Sequence, residues 1–108
     1  MVFNHIMTGV EVEDYEFDDA LYPESINNLS PTHFTPIEIC IQAAQVLVTE
    51  PRTKVLDIGS GAGKFCMVGA ASTEGHFIGV EQRLGLHQMA KKIAKKRQLP
   101  NVEFIHSN

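Results

Sequence analysis

The stretch VLDIGSGAGKF, residues 55–65, decides the fold of this chain. Residues 53–58 form a short, apolar and largely β-branched run, which is typical of a parallel strand covered on both faces. Glycines follow at alternate positions, at Gly59, Gly61 and Gly63, and they let the chain turn sharply and bring bare backbone close to a ligand. The free amides of the helix that begins next can bind a polar group. The stretch therefore predicts a strand, a turn and a helix that bind a nucleotide-type cofactor.

A second apolar strand, HFIGVE at residues 76–81, ends in a carboxylate. Glu81 follows Gly59 by 22 positions. An acid about 20 residues after such glycines, at the end of the next strand, can accept hydrogen bonds from both hydroxyls of a ribose. A dinucleotide fingerprint would need its third glycine at Lys64, so the spacing argues against a dinucleotide site. Half of an NAD-type Rossmann oxidoreductase nevertheless stays an alternative.

The glycine run also fits a different family pattern. Asp57, Gly59, Gly61 and Gly63 match every position of motif I of the class I S-adenosylmethionine (SAM) methyltransferases, which is an acid, one apolar residue and three alternate glycines. With Glu81 at the ribose position, the chain resembles this family from about residue 30 to residue 108. The resemblance implies SAM as the cofactor and methyl transfer as the activity. A non-catalytic interaction domain with the same fold is a second alternative.

The resemblance also implies roles for individual residues. Asp57 would contact the ammonium side of the methionine, Glu81 the ribose, and Gln82 and Arg83 the adenine. Asn108, after the third strand, stands where the family often has an acid near the adenine amine. Residues 34–36 resemble the aromatic-threonine-proline segment that lies beside SAM in some amino-group DNA methyltransferases. The expected cofactor-binding residues are Thr35, Asp57, Gly59, Ser60, Gly61, Gly63, Glu81, Gln82 and Asn108.

The resemblance implies no catalytic residue within the 108, because family members carry those residues after a fourth strand. The sequence of residues 56–61 and 79–81 is also similar to that of the non-SET histone-lysine methyltransferases. This similarity is too short to identify the methyl acceptor.

The remaining sequence predicts a truncated Rossmann-like α/β fold. We expect a leading helix at about residues 36–49, with Thr35 as its N-cap and Glu38 completing a capping box. Strands at 54–58, 76–81 and 102–106 alternate with helices at about 64–72 and 83–98. Right-handed crossovers then give parallel strands in the order 3-2-1, with the first strand at an edge. The resemblance implies the amino-terminal half of a methyltransferase domain, and the exposed edge predicts self-association.

Charge is distributed unevenly along the chain. Residues 1–50 hold nine acidic and no basic side chains, whereas residues 51–108 hold four acidic and nine basic ones, giving the net charge of −4. We interpret residues 1–30 as an acidic, largely irregular arm before the cofactor-binding part at residues 31–108. An acidic arm favours a protein or a small molecule over nucleic acid as the methyl acceptor.

Several function classes find no support in the composition. No apolar run approaches the roughly 18 residues of a membrane span, and the N-terminus has no signal-peptide pattern. Cys40 and Cys66 have neither a metal-ligand nor a redox spacing, so we expect no metal site and two buried thiols in a reducing compartment. The expected location is the cytoplasm, away from the membrane.

Overall fold

The computed structural model describes residues 2–7, 21–22 and 35–108. Most of the expected acidic arm lies outside these residues. The elements are α1 (Val2–Met7), α2 (Ile37–Leu47), β1 (Lys54–Ile58), α3 (Lys64–Ser72), β2 (His76–Glu81), α4 (Leu84–Lys96) and β3 (Val102–His106). The leading helix and the β-α-β-α-β order are confirmed. The strands and α3 have their predicted bounds, and α2 and α4 are slightly shorter than predicted.

The described sheet has three parallel strands in the order β1-β2-β3, so that β1 forms an edge as predicted. Phe77 of β2 lies opposite Val55 of β1 and Val102 of β3. Gly79 lies opposite Asp57 and Phe104. Since registered neighbours point to the same face, Asp57 and Glu81 share the face that carries Phe77. Both acids therefore face the helices, near the carboxyl end of their strands.

The helix-covered face of the sheet forms the core. Phe77 is completely buried, and a Cβ added at Gly69 of α3 would lie 2.4 Å from its ring, so only glycine lets α3 approach β2 this closely. The α2 helix packs on α3, with Cys40 and Ala44 fully buried. Two segments before α2 join the same core through the buried residues Phe3, Ile6, Leu21 and Tyr22, a contribution that the sequence did not predict.

The opposite face of the sheet is uncovered in the described part of the chain. Leu56 and Ile58 of β1 are 61% and 72% exposed, and Ile105 of β3 is 46% exposed. The expectation that β1 is covered on both faces is therefore wrong for this structure. Both crossover helices pack on the face of Phe77 and Phe104, because two successive right-handed crossovers in one direction place their helices on the same side.

The start of α2 also differs from the prediction. Pro36 is its N-cap residue, with φ −58° and ψ 145°, and no side chain caps the helix. The Thr35 cap and the Glu38 capping box are therefore not formed, because the helix begins one residue later than the box requires. The carbonyl oxygen of Thr35 accepts a hydrogen bond from the thiol of Cys40 at 3.6 Å.

The end of α4 is closed by a residue in the left-handed region. Gln98 has φ 56°, and the next amide, of Leu99, donates back to the carbonyl of Ala94 at 3.1 Å. This is the usual way to satisfy the last carbonyls of a helix, although glycine is the residue that normally occupies the position. Across the described segments, no helix combines the length and the apolar character needed to cross a membrane.

Candidate functional site

The glycine turn between β1 and α3 leaves open space above two of its glycines. Gly59, Gly61 and Gly63 have φ values of 77°, 59° and 87°, a region that side-chain-bearing residues rarely adopt. A Cβ at Gly59 or Gly61 would meet nothing within 4 Å. A Cβ at Gly63 would lie 2.6 Å from the ring of Phe104. The first two glycines thus present bare backbone to an open side, and the third lets α3 pack against the sheet.

The turn is held by hydrogen bonds to β2. The amides of Gly59 and Ser60 both donate to the carbonyl of Val80, at 2.7 and 3.0 Å. The Ser60 side chain packs over Gly79, where a Cβ would come within 2.7 Å of its Oγ. That Oγ is buried and has no hydrogen-bond partner among the described residues. Gly79 therefore serves the close approach of Ser60 to the sheet.

Glu81 joins the second strand to the glycine turn. Its side chain is almost fully buried, and its Oε1 accepts a 2.7 Å hydrogen bond from the amide of Gly61. Arg83 supplies the other recorded donors. Its amide and Nε bond to Oε2 at 2.9 and 2.8 Å, and its Nη2 bonds to Oε1 at 3.3 Å. The two sequence motifs, 20 positions apart at these residues, therefore meet at one carboxylate.

The charge of Glu81 is stabilised by these donors. The hydrogen bonds from the Arg83 side chain lower the pKa of Glu81 from 4.5 to about 2, and the amides of Arg83 and Gly61 act in the same direction. Burial opposes the shift. The same pairing raises the pKa of Arg83. Glu81 is therefore an ionised acceptor throughout the physiological pH range.

Asp57 lies on the same face of the sheet and is half-buried. The thiol of Cys66, in α3, donates to its Oδ2 at 3.8 Å. Burial raises the pKa of Asp57, the Cys66 hydrogen bond opposes this, and the negative charge of Glu81 adds to the rise. Burial and the charge of Asp57 raise the pKa of the Cys66 thiol, which therefore stays protonated and donates. Asp57 is thus a half-buried carboxyl group on the same face of the sheet as Glu81, whose own charge is paired with Arg83.

Gln82, Asn108 and Thr35 were also expected at the site, and they differ in how the structure connects them to Glu81. Gln82 is exposed directly after Glu81, and its carbonyl accepts a 3.0 Å hydrogen bond from His106 Nε2. The amide of Ser107 donates to the carbonyl of Glu81 at 3.2 Å, which brings the segment carrying Asn108 to the end of β2. Thr35 is exposed before α2 and is not among the residues that the Glu81 hydrogen bonds join.

Three contacts at this site were missed from the sequence. Arg83 was expected beside the adenine, but its position two residues after the strand-ending acid lets the side chain fold back onto Glu81. Cys66 was interpreted as a small core residue, and nothing in its spacing indicated a contact with Asp57. Tyr22 donates through its hydroxyl to the carbonyl of Ala62 at 3.1 Å, from a segment without a sequence signal for such a contact.

Comparison with known proteins identifies the family. Residues 49–108 match the family model of a methyltransferase domain. This match covers more than half of the chain, so the chain belongs to the methyltransferase domain family. The resemblance in the sequence motifs is thereby confirmed, and the dinucleotide alternative is not supported. No curated protein matches the chain.

Solved structures share the fold. A SAM-dependent methyltransferase from Thiobacillus denitrificans, in complex with S-adenosyl-L-homocysteine, is 27% identical with a TM-score of 0.60, over 79% of this chain and 36% of that one. YjhP from E. coli is 28% identical with a TM-score of 0.58, over 65% and 29%. The [4+2]-cyclase SpnF is 20% identical with a TM-score of 0.62, over 67% and 27%.

The chain therefore spans less than two fifths of the length of these three proteins. Their likeness confirms the predicted Rossmann-like α/β fold.

Proposed function

We propose that this chain is the cofactor-binding part of a SAM-dependent methyltransferase and that SAM lies over the glycine turn with its ribose at Glu81. The observation that carries the proposal is the 2.7 Å hydrogen bond from the Gly61 amide to Glu81 Oε1, beside the open space over Gly59 and Gly61. An adenosyl group needs bare backbone on one side and an acceptor for its hydroxyls on the other. In this structure the backbone of Gly61 and the carboxylate of Glu81 lie within a few ångströms of each other.

The charges at the site fit this cofactor. SAM carries positive charge on its sulfonium and ammonium groups, and the acids Asp57 and Glu81 lie on the same face of the sheet next to the glycine turn. A cation next to Asp57 would favour its ionised form and so offset the rise in its pKa that burial causes. We propose that Asp57 contacts the ammonium group, directly or through water, and that Glu81 holds the ribose. The complete proposed set is Thr35, Asp57, Gly59, Ser60, Gly61, Gly63, Glu81, Gln82 and Asn108.

The contribution of this chain to methyl transfer is binding and orientation. SAM supplies an activated methyl group on a sulfonium, so a positioned nucleophile is the main further requirement. Asp57 and the glycine turn would fix the methionine end, and Glu81 the ribose, which aims the methyl group in one direction. The acceptor and any base that deprotonates it are not assigned to residues of this chain.

Binding measurements test the proposal directly. We expect calorimetric titration to detect SAM and S-adenosylhomocysteine but not NADH. Glu81→Gln keeps the shape of the side chain but removes its charge, and should weaken binding by about 1–3 kcal/mol, the range for hydrogen bonds to a charged group. Glu103→Gln, on the exposed outer position of β3, is the matched control and should bind normally. Unchanged affinity in Glu81→Gln, or binding of NADH, would refute the proposed site.

A non-catalytic role is the second candidate function. The fold is shared with a protein described as a [4+2]-cyclase, so the fold by itself does not require methyl transfer. The longest native chain that contains these residues should be incubated with labelled SAM and a mixture of proteins and small molecules. Transfer of label to an acceptor would support the methyltransferase, and SAM binding without transfer would favour the interaction domain.

For the acceptor we propose a protein or a small molecule rather than nucleic acid. The proposal is supported by the net charge of −4 and by the nine acidic side chains in residues 1–50, which would repel phosphates. Labelled nucleic acid that accepts the methyl group better than protein or metabolites would contradict it. We further propose a cytoplasmic location, supported by the two buried cysteines, Cys40 and Cys66, which are not joined in a disulfide.

Self-association through the β1 edge is also proposed. The support is the unpaired edge of the described sheet together with the exposed Leu56 and Ile58 beside it. Sedimentation velocity should show concentration-dependent association that Leu56→Lys reduces. A monodisperse monomer at all concentrations would contradict the proposal.

A further inference from the structure

The carboxylate of Glu81 has no acceptor position left for a ligand. An ionised carboxylate offers about four lone-pair sites. In this structure, Oε1 accepts from Gly61 N and Arg83 Nη2, and Oε2 accepts from Arg83 N and Arg83 Nε. Ribose hydroxyls can therefore donate to Glu81 only after some of these donors have left.

The four donors differ in their ability to leave. Two are backbone amides, and both are held by structure: Gly61 within the glycine turn, and Arg83 as the N-cap residue of α4. The other two belong to the Arg83 guanidinium, whose side chain is 64% exposed. Displacing the guanidinium breaks hydrogen bonds at 2.8 and 3.3 Å but moves no backbone. The two hydrogen bonds from the guanidinium are thus the ones that a ligand can replace.

The guanidinium and a ribose present similar donors. Nε and Nη2 each bond to a different oxygen of Glu81, in the forked arrangement typical of an arginine with a carboxylate. A ribose has two neighbouring hydroxyls, which can donate to two carboxylate oxygens in the same way. A 2′,3′-dideoxyribose has neither donor and could not replace the guanidinium.

We propose that the Arg83 guanidinium occupies the ribose-hydroxyl positions on Glu81 in the unliganded protein, and that a nucleoside must displace it to bind. This inference rests on the proposed SAM site and adds a residue that limits affinity and selects for an intact ribose diol. Binding exchanges a guanidinium–carboxylate ion pair for two hydrogen bonds from neutral hydroxyls to the same carboxylate, so Arg83 lowers the affinity for every ligand that uses Glu81. Removing the guanidinium abolishes this competition.

The test compares Arg83→Ala with Lys92→Ala, which removes one positive charge from an exposed position of α4 and leaves Glu81 untouched. With S-adenosylhomocysteine as the probe, we expect Arg83→Ala to bind about 2- to 5-fold more tightly than the original chain, the range for a partly exposed ion pair. Lys92→Ala should bind like the original chain. Arg83→Gln, which keeps much of the side-chain stem, should also bind more tightly.

A ligand pair provides the second control. Adenosine should gain affinity from Arg83→Ala, and 2′,3′-dideoxyadenosine should gain none. In the original chain, NMR should show the Arg83 Nε–H signal shifting towards its solvent-exposed position as adenosine is added.

The outcomes separate the two proposals. Equal or weaker binding of S-adenosylhomocysteine by Arg83→Ala and Arg83→Gln, with intact binding by the original chain, would overturn the displacement and leave the SAM site standing. Absence of binding in every variant and in the original chain would refute the SAM site and this inference with it.

Discussion

The hydroxyl of Tyr22 donates a hydrogen bond to the carbonyl of Ala62 across 3.1 Å, joining positions 40 residues apart. Ala62 lies in the glycine turn, and both residues are buried. A segment that precedes the Rossmann-like part therefore supports the turn proposed to bind the cofactor. Because the carbonyl is buried, loss of its donor leaves an unsatisfied acceptor.

Tyr22→Phe removes this donor and keeps the ring. We expect the free energy of unfolding to fall by about 1–3 kcal/mol, the cost of leaving a buried carbonyl without its donor. Urea denaturation followed by circular dichroism would measure it. Tyr22→Ala, which also removes the ring packing, should lose about 3–5 kcal/mol. If Tyr22→Phe were as stable as the original chain, the hydrogen bond would not support the turn.

A matched pair of glycine substitutions tests the packing at the turn. In Gly79→Ala, the new Cβ would lie 2.7 Å from both Ser60 Oγ and Phe104 Cδ1, so we expect a loss of about 1–3 kcal/mol from overpacking. In Gly85→Ala, nothing lies within 4 Å and the position is helical, so we expect a gain of up to about 1 kcal/mol. Thermal denaturation of both variants would show the contrast. Equal effects would mean that Ser60 is free to move away from Gly79.

Asp57→Asn should separate stability from binding. Burial raises the pKa of Asp57. The protonated carboxyl therefore contributes to stability below pH 3.8, and this contribution is lost as the pH rises through the raised pKa. At pH 7 the neutral amide avoids the burial of a charge, so we expect the unliganded variant to be more stable than the original chain. Its affinity for SAM should fall. Chemical denaturation at pH 7 and calorimetry would measure the two effects, and a destabilised variant would contradict the first.

Glu81 should show the opposite dependence on pH. Its pKa is lowered from 4.5 to about 2, so its contribution to stability is present above pH 4.5 and is lost as the pH falls towards 2. We expect this part to be about 1–2 kcal/mol, less than the whole pKa shift implies, because solvent screens the exposed Arg83. Carbon-13 NMR titration would report the carboxyl directly. In Arg83→Ala the pKa should move back towards 4.5, and an unmoved pKa would show that the guanidinium does not hold it.

The left-handed residue at the end of α4 offers a stabilising change. Gln98 has φ 56°, a conformation that glycine adopts without the steric cost of a Cβ. Gln98→Gly should raise the free energy of unfolding by up to about 1 kcal/mol, since part of the gain is offset by the greater entropy of glycine in the unfolded chain. Gln88→Gly, at an exposed position inside α4, should instead lose about 1 kcal/mol. A loss in both variants would contradict the assignment of Gln98 as the helix end.

The order and bounds of the elements could be predicted because each has a local signal. The glycine turn separates β1 from α3, and an apolar run that ends in Glu81 defines β2. The approach of Gly61 to Glu81 also followed from topology, since parallel neighbouring strands end at the same edge of the sheet. These are features that the residue types themselves encode.

The contacts that complete the site could not be predicted because they depend on side-chain packing. Arg83 folds back onto Glu81 only because α4 begins at Leu84 and leaves the guanidinium beside the strand end. Cys66 reaches Asp57 through the packing of α3 on the sheet. The capping box at Thr35 failed for the reverse reason, since a valid local pattern was overridden when α2 began one residue later.

The alternating direction of the side chains along β1 has a practical consequence for engineering. Asp57 points towards the helices, whereas Leu56 and Ile58, its immediate neighbours in the chain, point away from them. One strand thus carries two independent sets of positions, and the outer set can be redesigned for solubility or for attachment to a second layer without altering the inner one. The side of this small sheet that we propose binds the cofactor is in that sense independent of whatever its exposed side is made to contact.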